Sequence, residues 1–98
     1  MKTVQLVYPR SSNVSLRNVV YCQIGIEHPH SIPISEIFND NFQAILKIGE
    51  SANNSKIYTI TDKEILEFGD IYFNSLYISI LDISNPYLII DIAYKEAG

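Results

Sequence analysis

The fold turns on residues 14–26, Val14-Ser-Leu-Arg-Asn-Val-Val-Tyr-Cys-Gln-Ile-Gly-Ile26. The even positions carry Val14, Leu16, Asn18, Val20, Cys22, Ile24 and Ile26, while the odd positions carry Ser15, Arg17, Val19, Tyr21, Gln23 and Gly25. A period of two held over thirteen residues is the signature of a strand with one face in a core, because successive side chains leave a strand on opposite sides. Asn18 is the polar exception on the apolar side. It marks a bulge, a hydrogen-bonded core amide, or the point where the strand leaves the core.

Upstream, Thr3–Tyr8 alternates in the same way, and Pro9-Arg-Ser-Ser-Asn13 supplies a turn. Downstream, Glu27-His-Pro-His-Ser-Ile-Pro33 is a connection, since its two prolines remove ladder donors and disfavour helix at the residues before them. Residues 35–48 carry two readings. Ser35 as an N-cap and Gly49 as a stop describe one helix, whereas Phe42, Ala44, Leu46 and Ile48 alternating with Gln43, Ile45 and Lys47 describe a strand paired across residues 49–55 with Lys56–Thr61. The β-rich surroundings favour one helical turn at Ser35–Asn39 followed by the strand. Thr61-Asp-Lys-Glu64 has the spacing of a capping box, and Ile65, Leu66 and Phe68 before Gly69 complete a short predicted helix that lids the sheet. Ile71–Ile83 and Tyr87–Tyr94, joined by Ser84-Asn85-Pro86, read as an antiparallel hairpin. The expected fold is mainly β: a small antiparallel sandwich or partly closed barrel of about six strands with one or two short helices. The alternative is α+β with one helix at 35–48 on an antiparallel sheet.

Residues 1–98 fit one domain. The chain has 18% charged and 47% hydrophobic residues, one Cys and no Trp, which excludes collagen-like, disordered and disulfide-stapled classes. Seven Lys and Arg against eleven Asp and Glu leave a charge of -4, scattered rather than blocked, so phosphate neutralisation and hence nucleic-acid binding is disfavoured. No run approaches the ~20 apolar residues that span a bilayer, and residues 1–9 lack the apolar region of a signal peptide. The expectation is a cytoplasmic site of synthesis, no membrane partner, and a lone Cys22 packing as a small hydrophobe.

The C-terminal strands carry the functional expectation. Both of their faces are apolar: Ile71, Phe73, Tyr77, Leu81, Ile83, Tyr87, Ile89 and Ala93 on one side, Tyr72, Leu76, Ile78, Ile80, Leu88, Ile90, Ile92 and Tyr94 on the other. Antiparallel strands in small domains usually keep one polar face, and a two-turn helix covers only part of the other. The remainder is expected to meet another chain, with Tyr72, Tyr77, Tyr87, Ile89, Ile90, Ile92 and Tyr94 as partner-binding residues.

Chemical motifs are weak by comparison. His28 and His30 flank Pro29 beside Glu27, but a zinc site needs three or four protein ligands and no further residue has the spacing. There is no G-x-S-x-G elbow or glycine-rich phosphate loop, and the acids at 62, 64 and 67 fit a solvated helix start. No catalytic residue, cofactor or metal site is assigned. The expectation is a non-enzymatic structural or assembly subunit, a homo-oligomer or multi-copy component that buries its C-terminal hairpin against itself or a larger partner. Seventeen Ile and eight Asn suit an AT-rich genome and make a bacteriophage virion component the associated guess. The alternative is a small soluble binding or inhibitor protein that acts on a host protein through an edge strand and the Glu27–Pro33 loop.

Overall fold

The computed structural model describes residues 1–28 and 42–98, and within them the chain forms seven strands: β1 (Lys2–Val7), β2 (Asn13–Glu27), β3 (Gln43–Ser51), β4 (Asn54–Thr61), β5 (Ile65–Phe68), β6 (Phe73–Ile83) and β7 (Ile89–Glu96). All pairings are antiparallel, in the order β1-β7-β2-β6-β3-β4, with β5 also on β2. The dense Ile and Val content suits this architecture, because branched side chains pack well on a pleated surface.

The long strand β2 organises everything else. Its first half pairs with β6 (Asn13↔Ser79 to Val19↔Phe73), and its second half pairs with β7 on one edge (Ile24↔Ile92) and β5 on the other (Ile24↔Leu66). Between the halves Asn18 holds φ at 53°, and the β2–β7 register slips between Val19 and Tyr21. The core-facing residues therefore run Val14, Leu16, Val19, Cys22, Ile24, Ile26, with two steps of three that restore the even spacing. Asn18 itself is exposed, so of its three readings the bulge is the one that holds. An extra residue of this kind bends a strand and increases its twist.

That bend folds the continuous sheet onto itself. Leu6 of β1 and Ile60 of β4, from opposite ends of the pairing order, share one core with Leu46, Leu76, Ile78 and Ile92. The Tyr58 and Phe68 rings meet edge to face at 5.5 Å, bringing β4 against β5 across the core. The result is the expected mainly β, sandwich-like domain, an open sheet whose two halves (β1-β7-β2-β5 and β2-β6-β3-β4) cover each other.

Two local expectations are corrected, and one alternative falls. Residues 65–68 form strand β5 rather than a helix, although half of the capping box exists: Glu64 Oε1 accepts from the Thr61 amide at 3.2 Å and from Thr61 Oγ1 at 2.8 Å, while the Glu64 amide donates to the Thr61 carbonyl at 3.1 Å. Four residues are too few to repay helix nucleation, whereas the free edge of β2 offers Ile65–Phe68 a ready ladder. Residues 43–48 are strand, as the favoured reading has it, and the alternative of one helix over 35–48 falls; the predicted turn at 35–39 lies outside the described residues.

The second correction concerns the C-terminal hairpin. Strand β2 stands between β6 and β7. The Asn85 side-chain oxygen accepts from the Tyr87 amide at 2.8 Å, and Ser84 exchanges bonds with Gln43, its amide donating to the Gln43 carbonyl at 3.0 Å and its Oγ accepting from the Gln43 amide at 2.9 Å. Residues 84–88 are thus an arch from one half of the sandwich to the other. Beneath it Phe42 and Leu88 form a second small core against Ile26 and Ile83.

Candidate interaction surfaces

The partner-binding residues expected from sequence do not converge on one surface. Ile90 and Ile92 are fully enclosed, at 0% exposure, by the chain's own core, which removes them from any contact surface. Tyr94 is half-buried against the same core. The cover that a short helix could not supply comes from the opposite half of the bent sheet, so one face of β6 and β7 is sealed without a partner. Tyr77 and Ile89 are half-buried. Their register partners Ser15 and Gly49, and Val7 and Glu27, place them on opposite halves of the sandwich. Tyr72 stands at the β2 bend, donating to Asn18 Oδ1 at 3.2 Å, and Tyr87 sits on the 84–88 arch; both are exposed.

Two other surfaces stand out. On the outer face of the β6-β3-β4 half, Ile57 is 66% exposed and Leu81 49%. Ile57 pairs with Lys47, whose strand neighbour Ile45 pairs with Thr59 and Asp82, so Ile45 lies diagonal to Ile57 and beside the register slip that extrudes Leu81. Ile57 stands on β4, Ile45 beside it on β3 and Leu81 one strand further on β6, and the outer edge of β4 pairs with no described strand. The sequence signal for this patch was an isoleucine on the wrong side of the Tyr58/Ile60 alternation.

The second surface lies on the outer face of the β1-β7-β2-β5 half. Gly25 is flanked by Asp91 on β7 and Ile65 on β5, and a hollow of about 380 Å³ opens above it, bordered by Gln23, Glu27, Ala93 and residues 62–64. Glu27 accepts from Gln5 Nε2 at 2.8 Å, and Asp62 meets His28 Nε2 at 3.2 Å. Below it the Tyr21 hydroxyl contacts Glu67 at 2.8 Å and Gln23 at 3.0 Å. Its single proton goes to the shorter, charged contact, and that bond to Glu67, followed by partial desolvation, raises the Tyr21 pKa.

The chemical candidates are placed as follows. His28 packs edge-on against the Phe42 ring at 4.6 Å, which gives it a structural role at the end of β2; His30 lies outside the described residues. Among the described residues no three His, Cys, Asp or Glu groups are gathered for a metal ion. Cys22 is buried, and burial pushes its thiol up to about 11, far from the thiolate a nucleophile requires. No family model, curated protein or solved structure matches the chain.

Proposed function

We infer that the chain is a non-enzymatic assembly subunit that associates with copies of itself through the outer face of β4 and its outer edge, which pairs with no described strand. The observation that supports this reading is the patch of Ile45, Ile57 and Leu81 beside an eight-residue edge strand. An exposed edge offers unpaired backbone groups to another strand. Burying each exposed aliphatic side chain beside it adds roughly 1.5–3 kcal/mol. The C-terminal strands then serve as the scaffold of the sandwich, and the contact surface moves from them to β4. Cys22 of β2 packs in the same core.

Sedimentation equilibrium over a wide concentration range tests the reading. A mass that is a multiple of 11.1 kDa is expected, falling to the single-chain value in Ile57→Lys, where a charge at the edge blocks pairing without touching the core. A single-chain mass for the unaltered protein at every concentration overturns it.

A further inference from the structure

We propose that the hollow above Gly25 is a docking site for a lysine or arginine side chain presented by a basic segment of a partner protein. The hollow exists because a central strand has no side chain at this point. Among the described residues a Cβ built on Gly25 would meet only Ile65 Cγ1, at 3.9 Å, so none of them packs into the space. Across the sheet the row reads Gln5, Asp91, Gly25, Ile65, with Ala93 and Gln23 in the next row. The floor is therefore glycine backbone with Ile65 and Ala93 beside it, and Asp91 stands at one end.

Charge selects the occupant. Glu27, Asp62, Glu64 and Asp91 surround the hollow against the single cation Lys63. Glu27, Asp62 and Glu64 are engaged by Gln5, His28 and Thr61 respectively, which fixes them in place. Asp91, half-buried on β7, has no side-chain partner among the described residues and is the carboxylate left to accept one. A long basic side chain matches both features, laying its methylenes on the floor and its charged tip against the acid. The acids stand on three separate segments, an arrangement suited to an elongated cation rather than a compact ion. A net charge of -4 adds attraction for a basic partner and opposes a second copy on this acidic face. The site lies on the half of the sandwich that β4 does not enter, so its test is independent of self-association.

The experiment is fluorescence anisotropy with a labelled peptide of alternating lysine and valine, and with its glutamate-valine counterpart, on the full chain and on Gly25→Val and Asp91→Asn. Saturable binding of the lysine peptide alone is expected, weakening with salt and falling at least tenfold in both variants. Glu50→Gln, a charge removed from the far half, should leave it unchanged. Urea midpoints confirm folding, and Asp91→Asn alone decides if Gly25→Val fails to fold. Unsaturable binding, or full affinity in either folded variant, overturns the proposal. So does a drop in oligomer mass on Gly25→Val without peptide, which would make a second copy the occupant.

Discussion

The Tyr72 hydroxyl donates to the Asn18 side-chain oxygen at 3.2 Å, at the residue where β2 turns through a φ of 53°. The Asn18 carbonyl also accepts from the Ala97 amide at 2.7 Å, tying the end of the chain to the bend. Asparagine tolerates the left-handed region, whereas a β-branched residue there is strained. Asn18→Gly should therefore stay within about 1 kcal/mol of the parent, the loss of an exposed hydrogen bond being small. Asn18→Val should cost about 1–3 kcal/mol. Urea unfolding measures both, and equal stability of the two variants would show that the bend does not depend on backbone conformation at this position.

The same bend explains what could be read from the letters. Periodicity reports the face of a strand but not which strand lies beside it. Val14, Leu16, Cys22, Ile24 and Ile26 all face the core as their spacing predicts, because the steps around Asn18 and Val19 cancel. The partners of β2 were hidden, and with them the cover for Ile90 and Ile92, since the link from β6 to β7 has the length of a hairpin yet crosses between halves. At Thr61–Glu64 the local signal was half obeyed and the inference from it failed: the Glu64 carboxylate accepts from Thr61, the Glu64 amide closes a turn on the Thr61 carbonyl, and the next four residues pair with β2 instead. Tertiary pairing outweighed local propensity there. The hollow above Gly25 was invisible for a different reason, since an empty space arises from neighbours far apart in sequence.

Two strand glycines, Gly49 on β3 and Gly25 on β2, should respond oppositely to a methyl group. At Gly49 an added Cβ would overlap the Asn54 carbonyl oxygen and the Ser55 Cα, where the β3–β4 register slips between Gly49 and Ser51. These are backbone atoms and have no rotamer to yield. Gly49→Ala should destabilise by roughly 2–4 kcal/mol, in the range of a steric clash in a packed element. Gly25→Ala meets no such atom and should be neutral or slightly stabilising, as strand glycines are entropically costly. Thermal unfolding of the pair checks this, and a tolerant Gly49 would contradict the described β3–β4 turn.

Ile90→Ala and Ile92→Ala should each cost about 2–5 kcal/mol, the usual penalty for emptying a buried aliphatic site. Both variants should keep whatever oligomeric state the folded protein has. Ile65→Ala, at 69% exposure, should change stability by no more than about 0.5 kcal/mol. The discriminating measurement pairs urea unfolding with sedimentation. An Ile92→Ala protein of full stability that had lost association would restore the C-terminal strands as the contact surface.

Alkaline pH should weaken the fold through Cys22. Burial raises its thiol from 9.0 to about 11, so between those pH values the unfolded chain has released a proton that the folded chain retains. Unfolding is then increasingly favoured as pH rises: the contribution is intact below pH 9 and declines by roughly 2–3 kcal/mol by pH 11. Tyr21, whose pKa is also raised, mainly by its bond to Glu67, acts in the same direction above pH 10. Cys22→Ala separates the two. It should start less stable because a core side chain is trimmed, yet lose less stability between pH 8.5 and 10, since the Tyr21 contribution is common to both proteins and cancels in the comparison. The native protein at pH 8 should also resist thiol-modifying reagents and react only as fast as it opens, with urea accelerating labelling in step with unfolding. Rapid labelling without urea, or identical pH slopes for the parent and Cys22→Ala, would mean that β7 and β5 do not enclose this sulfur.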